Sequence, residues 1–88
     1  MSDTHLEDEA VGAVTHYYSH LGVAAVKLTA PLKVGDRIHI RGHTSDLLQV
    51  VGPMEVDHRH VEVAGPGDDV ALKVDDHVRE HDHIWIEE

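Results

Sequence analysis

Histidine is the residue type in this 88-residue sequence whose number and spacing most readily suggest chemistry. The chain has ten histidines, and His58 with His60 and His81 with His83 stand two residues apart. On a β-strand this spacing places both imidazole rings on one face. Imidazole is a common ligand of transition metals, and a closed zinc site needs four ligands. The candidate ligands lie in the second half of the chain: His58, His60, His77, His81, Asp82 and His83.

The spacing of these residues matches no known structural zinc pattern. The same histidines could instead be exposed polar residues that only set the surface charge. Histidine-mediated metal binding is therefore kept as an alternative function, and we predict no specific metal ligand and no cofactor.

Nucleophilic catalysis has little support in the sequence. The chain contains no cysteine, which excludes disulfides, thiolate metal sites and a cysteine nucleophile. Ser19 and Ser45 lie in no known nucleophile motif. We therefore predict that the chain is not an enzyme.

The formal net charge of −10 is unevenly distributed along the chain. Residues 1–9 carry four acids and no base, and residues 46–88 carry twelve acids and three bases. Residues 10–45 instead have a net positive charge, which could attract phosphate groups. The candidate contact residues in this segment are Lys27, Lys33, Arg37 and Arg41.

The elements that must position these residues are β-strands. The chain has thirteen valines and no phenylalanine, and valine favours strands. Apolar residues alternate with polar ones in six runs, which predicts six strands: 14–18, 24–28, 38–40, 48–56, 70–74 and 84–86. Pro53 predicts a bulge or bend in the longest run. The segment 58–64 is the one place where we expect a helical turn.

Six short strands can bury their apolar faces and protect their edges by closing into a barrel. We predict an all-β fold, a small closed six-stranded Greek-key β-barrel. The barrel would comprise residues 10–88, preceded by a disordered acidic tail over residues 1–9. The longest apolar stretch is too short for a membrane-spanning helix and no signal peptide is apparent, so we expect a cytoplasmic protein without membrane contact.

Two Gly-Asp turns carry a resemblance to a known family. The segment LKVGDRIHIRG contains Gly35-Asp36, and PMEVDHRHVEVAGPGDDVALKV contains Gly67-Asp68. Each Asp can accept hydrogen bonds from nearby backbone N–H groups. With the strands between them, these turns resemble the second, β-barrel domain of the translation elongation factors. The remaining matching positions are Leu32, Lys33, Ile38, Met54, Glu55, His58, Ala64, Pro66, Val70 and Arg79.

The resemblance implies a translation-factor-like binding module without the GTPase domain, because the chain has no GxxxxGK[ST] phosphate-binding loop. It implies contact with tRNA, the ribosome or a translation factor, and it adds Glu55 to the contact residues. Asp75 stands where part of the family has an Arg, a reversal that would repel phosphate. A structural protein–protein adaptor that docks its partner on an open strand edge is a further alternative. DNA is not an expected partner.

Overall fold

The computed structural model describes residues 10–87, and these residues form ten β-strands and no helix. The predicted tail, residues 1–9, lies outside the described residues, as does Glu88. The strands are β1 (Gly12–Tyr18), β2 (Val23–Leu28), β3 (Leu32–Lys33), β4 (Arg37–Arg41), β5 (Asp46–Val50), β6 (Met54–Val56), β7 (Arg59–Val61), β8 (Val63–Ala64), β9 (Asp69–Lys73) and β10 (His83–Ile86).

Eight of the strands form one antiparallel sheet in the order β5-β4-β10-β1-β2-β9-β6-β7, and β3 pairs with β8 in a separate ribbon. The sheet curls into a half-barrel. The predicted all-β class is confirmed, whereas the closed six-stranded Greek-key barrel is wrong. The two outer strands, β5 and β7, do not pair with each other, so the sheet does not close on itself.

The predicted run 48–56 forms two strands that lie near opposite edges of the sheet. β5 ends at Val50, residues 51–53 are not in a strand, and β6 begins at Met54 beside β9. Pro53 cannot donate a backbone hydrogen bond to a neighbouring strand. The break is therefore a crossover of the chain rather than the predicted bulge or bend.

The core consists of the inward-facing residues of the curled sheet. Ala24, Ile38, Ile40, Leu72 and Ile84 have no exposed surface. Burial of a large aliphatic side chain contributes about 1.5–3 kcal/mol to stability. The other buried apolar residues are Val11, Val14, Val26, Leu28, Leu32, Val51, Met54, Ala64, Val70, Val74 and Val78.

The predicted run 48–56 is expected to bury Leu48 and Val50, and on β5 this alternation has the wrong phase. Leu48 is 64% exposed and Val50 is 55% exposed, whereas Leu47 packs against the core. Leu47 and Leu48 are adjacent and equally apolar, so the sequence fits either phase. Because side chains alternate between the two faces of a strand, an error of one residue assigns every side chain of the strand to the wrong face.

Three four-residue turns share one hydrogen-bonding pattern. In each turn the last residue is an Asp, and its carboxylate accepts a hydrogen bond from the backbone N–H of the first residue. The backbone N–H of the same Asp donates a hydrogen bond to the carbonyl of the first residue. The third residue has a positive φ: 98° at Gly35, 90° at Gly67 and 78° at His81. The hydrogen bonds predicted for the two Gly-Asp turns are thus present, and Arg79–Asp82 repeats them without glycine.

The segment expected to contain a helical turn contains β7 and β8 instead. A two-residue hairpin turn, Asp57-His58, joins β6 to β7, with φ of 54° and 65°. Positive φ at both central residues is typical of the type I′ turn, whose twist matches that of paired strands. In the part of the chain that is described, no helix is long and apolar enough to cross a membrane.

Candidate functional site

The candidate site lies on the outer face of the half-barrel, over β2, β9 and β6. Its centre is a row of paired residues: Ala25 lies opposite Ala71, and Ala71 lies opposite Glu55. Directly opposed residues in an antiparallel sheet have Cβ atoms about 4.5–5.5 Å apart. Because two adjacent positions of this row are alanine, the surface is low there and the larger side chains around it stand as walls.

The second row of paired residues forms one wall. Tyr18 lies opposite Val23, and Val23 lies opposite Lys73. Leu21, in the turn between β1 and β2, is 64% exposed, and Tyr18 is 46% exposed. The resulting depression has a volume of about 870 Å³. We call it the outer groove, lined by Tyr18, Leu21, Val23, Pro53, Glu55, His58, Ala71 and Lys73.

A smaller depression of about 240 Å³ adjoins the outer groove and shares Tyr18, Glu55, His58 and Ala71 with it. We call it the acidic depression, because its lining includes three carboxylates, those of Glu55, Asp57 and Asp69. Asp69 forms an exposed ion pair with Lys27, with 3.6 Å between Oδ2 and Nζ. Glu55 Oε2 lies 3.5 Å from Nε2 of His60. Lys73, in contrast, lines the outer groove but not the acidic depression.

The β6–β7 turn brings His58 to both depressions at a conformational cost. Left-handed φ values are uncommon outside glycine and cost about 1–3 kcal/mol for each residue. Asp57 and His58 both adopt them, although Asn-Gly is the favoured pair in such turns. Glycine at position 58 would reduce the strain but would remove the imidazole from the groove.

The candidate zinc ligands do not form a site. In residues 10–87, no three His, Cys, Asp or Glu side chains are close enough to hold a metal ion together. The assumption that each histidine pair shares one strand is wrong: His58 and His81 are turn residues, whereas His60 and His83 are in strands. Strand alternation therefore does not place the two rings of a pair on one face.

Other histidines make pairwise contacts elsewhere on the surface. Nδ1 of His16 lies 3.3 Å from Oε2 of Glu80, and the ring of His77 packs edge-on against Tyr17 with centroids 4.7 Å apart. These residues line a depression of about 500 Å³ that also includes Ser19. An activated serine needs a hydrogen-bonded base, and within the described residues no hydrogen bond joins Ser19 to an imidazole.

The four predicted cationic contact residues do not form one patch. Lys27 is on β2, which is three strands, or about 14 Å, from β4. Arg37 and Arg41 are at the two ends of β4, and Lys33 is on the separate ribbon. Glu55 alone of the predicted residues lines the outer groove. The binding roles predicted for all five residues stay untested.

Lys33 is engaged within its own turn. Its Nζ lies 2.8 Å from Oδ1 of Asp36, and its backbone N–H donates to Oδ2 of the same carboxylate at 3.0 Å. Burial by itself would raise the pKa of the Asp36 carboxyl, but the hydrogen bonds and charge of Lys33 outweigh burial and lower that pKa below its ordinary value. This lysine thus contributes to a structural turn.

The sequence reasoning missed most of the outer groove. Ala25, Ala71 and Val23 are unremarkable in the sequence, and only cross-strand register brings them together. One local signal was present: Leu21 lies next to the turn residue Gly22, where an apolar side chain has no strand to bury it. A single exposed apolar residue is common, and it marks a contact surface only where it joins a larger apolar patch.

Comparisons with known proteins point away from translation. No protein-family profile matches the sequence. The chain is 36% identical over 77 residues to a Methanocaldococcus jannaschii protein named as an uncharacterized protease; the match covers 86% of this chain. It covers 19% of that protein, so the chain spans about a fifth of the length of its curated relative.

Two crystal structures have the same fold. Both are of the C-terminal domain of a putative U32 peptidase from Geobacillus thermoleovorans. One superposes with a TM-score of 0.86, covering 100% of this chain and 99% of that domain at 21% identity. The selenomethionine variant gives a TM-score of 0.83, covering 89% and 99% at 21% identity.

The resemblance to elongation factors is therefore wrong, and so is the interpretation as a translation-factor-like module. Turns with an Asp that accepts backbone hydrogen bonds suit many antiparallel β-folds, so the two Gly-Asp turns did not identify one family. The metal-binding and strand-edge adaptor alternatives gain no support, and contact with tRNA or the ribosome stays untested. This chain has the fold of the C-terminal domain of a putative U32 peptidase, and it is related in sequence to a segment of a longer archaeal protein named as a protease.

Proposed function

We propose that this chain is a non-catalytic, polypeptide-binding domain that acts together with a peptidase catalytic domain of the U32 type. The outer groove is the observation that carries the proposal. It is open, has Ala71 at its floor, and is bordered by the exposed apolar side chains of Tyr18 and Leu21. Such a surface can receive an apolar side chain of an extended polypeptide.

Two further observations support the proposal. The relative with 36% identity is named as a protease, and the chain corresponds to only a fifth of its length, which leaves most of that protein for the catalytic part. In addition, two solved structures that share this fold are of the C-terminal domain of a putative U32 peptidase. Recognition of a polypeptide substrate is a role that needs no catalytic group.

Selection of peptides on the folded chain tests this proposal. A library of random twelve-residue peptides is screened against the wild-type chain, and the binders are measured again on two variants. Leu21→Ser alters the outer groove, whereas Leu48→Ser removes an equally exposed leucine that lines neither depression. We expect binders that lose about tenfold or more in affinity with Leu21→Ser and are unaffected by Leu48→Ser. Failure to select any peptide, or equal sensitivity to both substitutions, would reject the proposal.

A further inference from the structure

The acidic depression indicates what kind of polypeptide the outer groove prefers. Its three carboxylates begin beside the alanine floor: Glu55 is the direct neighbour of Ala71, and Asp69 is two residues before Ala71 on β9. Asp57 forms no ion pair within the described residues, and the partner of Glu55, His60, is charged only when protonated. A bound cation would therefore gain attraction that the chain itself does not supply.

Tyr18 lies where the apolar and acidic parts meet. Its ring lines both depressions and is 46% exposed, and one side of it contacts the ring of His16 with centroids 4.4 Å apart. The face of a tyrosine ring attracts ammonium and guanidinium groups. Long basic side chains also have an apolar stem that can pack beside Ala25 and Ala71.

The charge of the whole chain acts in the same direction. A net charge of −10 on 88 residues repels acidic segments and attracts basic ones. The apolar lining of the outer groove favours apolar side chains. The adjoining carboxylates favour a positive charge within one or two residues of such a side chain in the bound polypeptide.

Resting on the proposed function, we propose that the outer groove and the acidic depression together recognise a polypeptide segment in which an apolar residue and a basic residue are neighbours. The apolar side chain lies against Leu21, Val23 and Ala71 in the outer groove. The basic side chain crosses Tyr18 and points to Glu55 and Asp57.

Three fluorescein-labelled peptides of equal length test the preference by anisotropy on the full 88-residue chain. One contains two leucines followed by two lysines, the second two leucines followed by two glutamates, and the third two serines followed by two lysines. We expect the first to bind at least about tenfold more tightly than either of the others. Equal binding of the first and third would overturn the apolar part of the inference, and equal binding of the first and second would overturn the basic part.

Charge variants test whether the preference for a basic residue arises from the carboxylates of the acidic depression. Glu55→Gln combined with Asp57→Asn is expected to weaken binding of the leucine–lysine peptide about tenfold and to leave the leucine–glutamate peptide unweakened. Glu62→Gln combined with Asp76→Asn changes the net charge equally outside both depressions and is expected to have little effect. Equal losses in the two double variants would show attraction by net charge alone and overturn the inference. If no peptide binds, the proposed function fails as well; if the leucine–glutamate peptide binds as tightly as the leucine–lysine one and Leu21→Ser abolishes both, only the preference fails.

Discussion

Ala25 and Ala71 are cross-strand partners on the outer face of the half-barrel, and this pairing forms the floor where the outer groove meets the acidic depression. Each alanine has larger neighbours in its own strand: Val23 and Lys27 on β2, and Asp69 and Lys73 on β9. A larger residue at either alanine would bring the floor up to the level of the walls. The groove therefore depends on the register of two strands as much as on its exposed side chains.

Filling the floor is expected to remove binding without unfolding the chain. Ala71→Leu places an additional side chain in the outer groove, on the solvent side of the sheet, where no core packing is disturbed. We expect the affinity for leucine-containing peptides to fall by at least about tenfold, while the free energy of unfolding changes by less than about 1 kcal/mol. Peptide titration and thermal unfolding of the same sample measure both. Retention of wild-type affinity would show that the floor is not where the peptide lies.

The strained β6–β7 turn is expected to lower the stability of the fold and to support peptide binding. His58→Gly relieves a positive φ of 65° and should raise the free energy of unfolding by up to about 1 kcal/mol. For a domain of this size, that change raises the melting temperature by about 4–8 °C. The substitution also removes the imidazole from the groove, so peptide affinity should fall.

His81→Gly is the matched control for that variant. It relieves a similar φ of 78° in the turn before β10, which does not line the outer groove. We expect similar stabilisation and unchanged peptide affinity. If both variants lose affinity equally, the loss at His58 cannot be assigned to its position in the groove.

The contact between Gly42 and Asp82 is expected to be a weak point for stability. A Cβ atom on Gly42 would lie 2.7 Å from Cγ of Asp82, a carboxylate that is buried and accepts the N–H of Arg79. Gly42→Ala must displace this carboxylate, so we expect a loss of about 1–3 kcal/mol in denaturant unfolding. Gly52→Ala, where a Cβ meets nothing within 4 Å, should change stability by less than about 0.5 kcal/mol.

The Asp36 turn predicts a specific pH dependence of stability. Because the folded chain lowers the pKa of Asp36, its carboxylate stabilises the fold above the pKa of the unfolded chain, and this stabilisation is lost as pH falls through the lowered value. Asp36→Asn should therefore be less stable than the wild type near pH 7, and the difference should shrink below about pH 4. Unfolding curves from pH 7 to pH 2.5 measure it. A difference that is constant over this range would mean that the Lys33–Asp36 contact does not contribute through charge.

The sequence predicted the buried faces well where strands are central. Val26 and Leu72 alternate with outward residues, and both are buried, because a strand with neighbours on both sides has one face fixed toward the core. The prediction failed at β5, where Leu47 and Leu48 are interchangeable by pattern. It also failed for closure of the barrel, because strand order depends on contacts between distant segments that no local pattern encodes.

The turns, too, could be predicted from the sequence only in part. The hydrogen bonds of the Asp36 and Asp68 carboxylates followed from residue type and spacing, since Gly and Asp define such turns locally. The turn at His81 has the same hydrogen bonds without the glycine signal. The outer groove could not be predicted, because Val23 and Lys73 are 50 residues apart in the sequence and meet only through the pairing of β2 with β9.

The most direct test of the central claim is a map of backbone amide chemical shifts while the leucine–lysine peptide is titrated into the isotopically labelled chain. A polypeptide bound in the outer groove should shift the amides of Tyr18, Leu21, Val23, Glu55 and Ala71 while those of β4 remain in place. Shifts confined to β4 and β5, or no shifts at millimolar peptide, would contradict the assignment of this groove as a polypeptide-binding site.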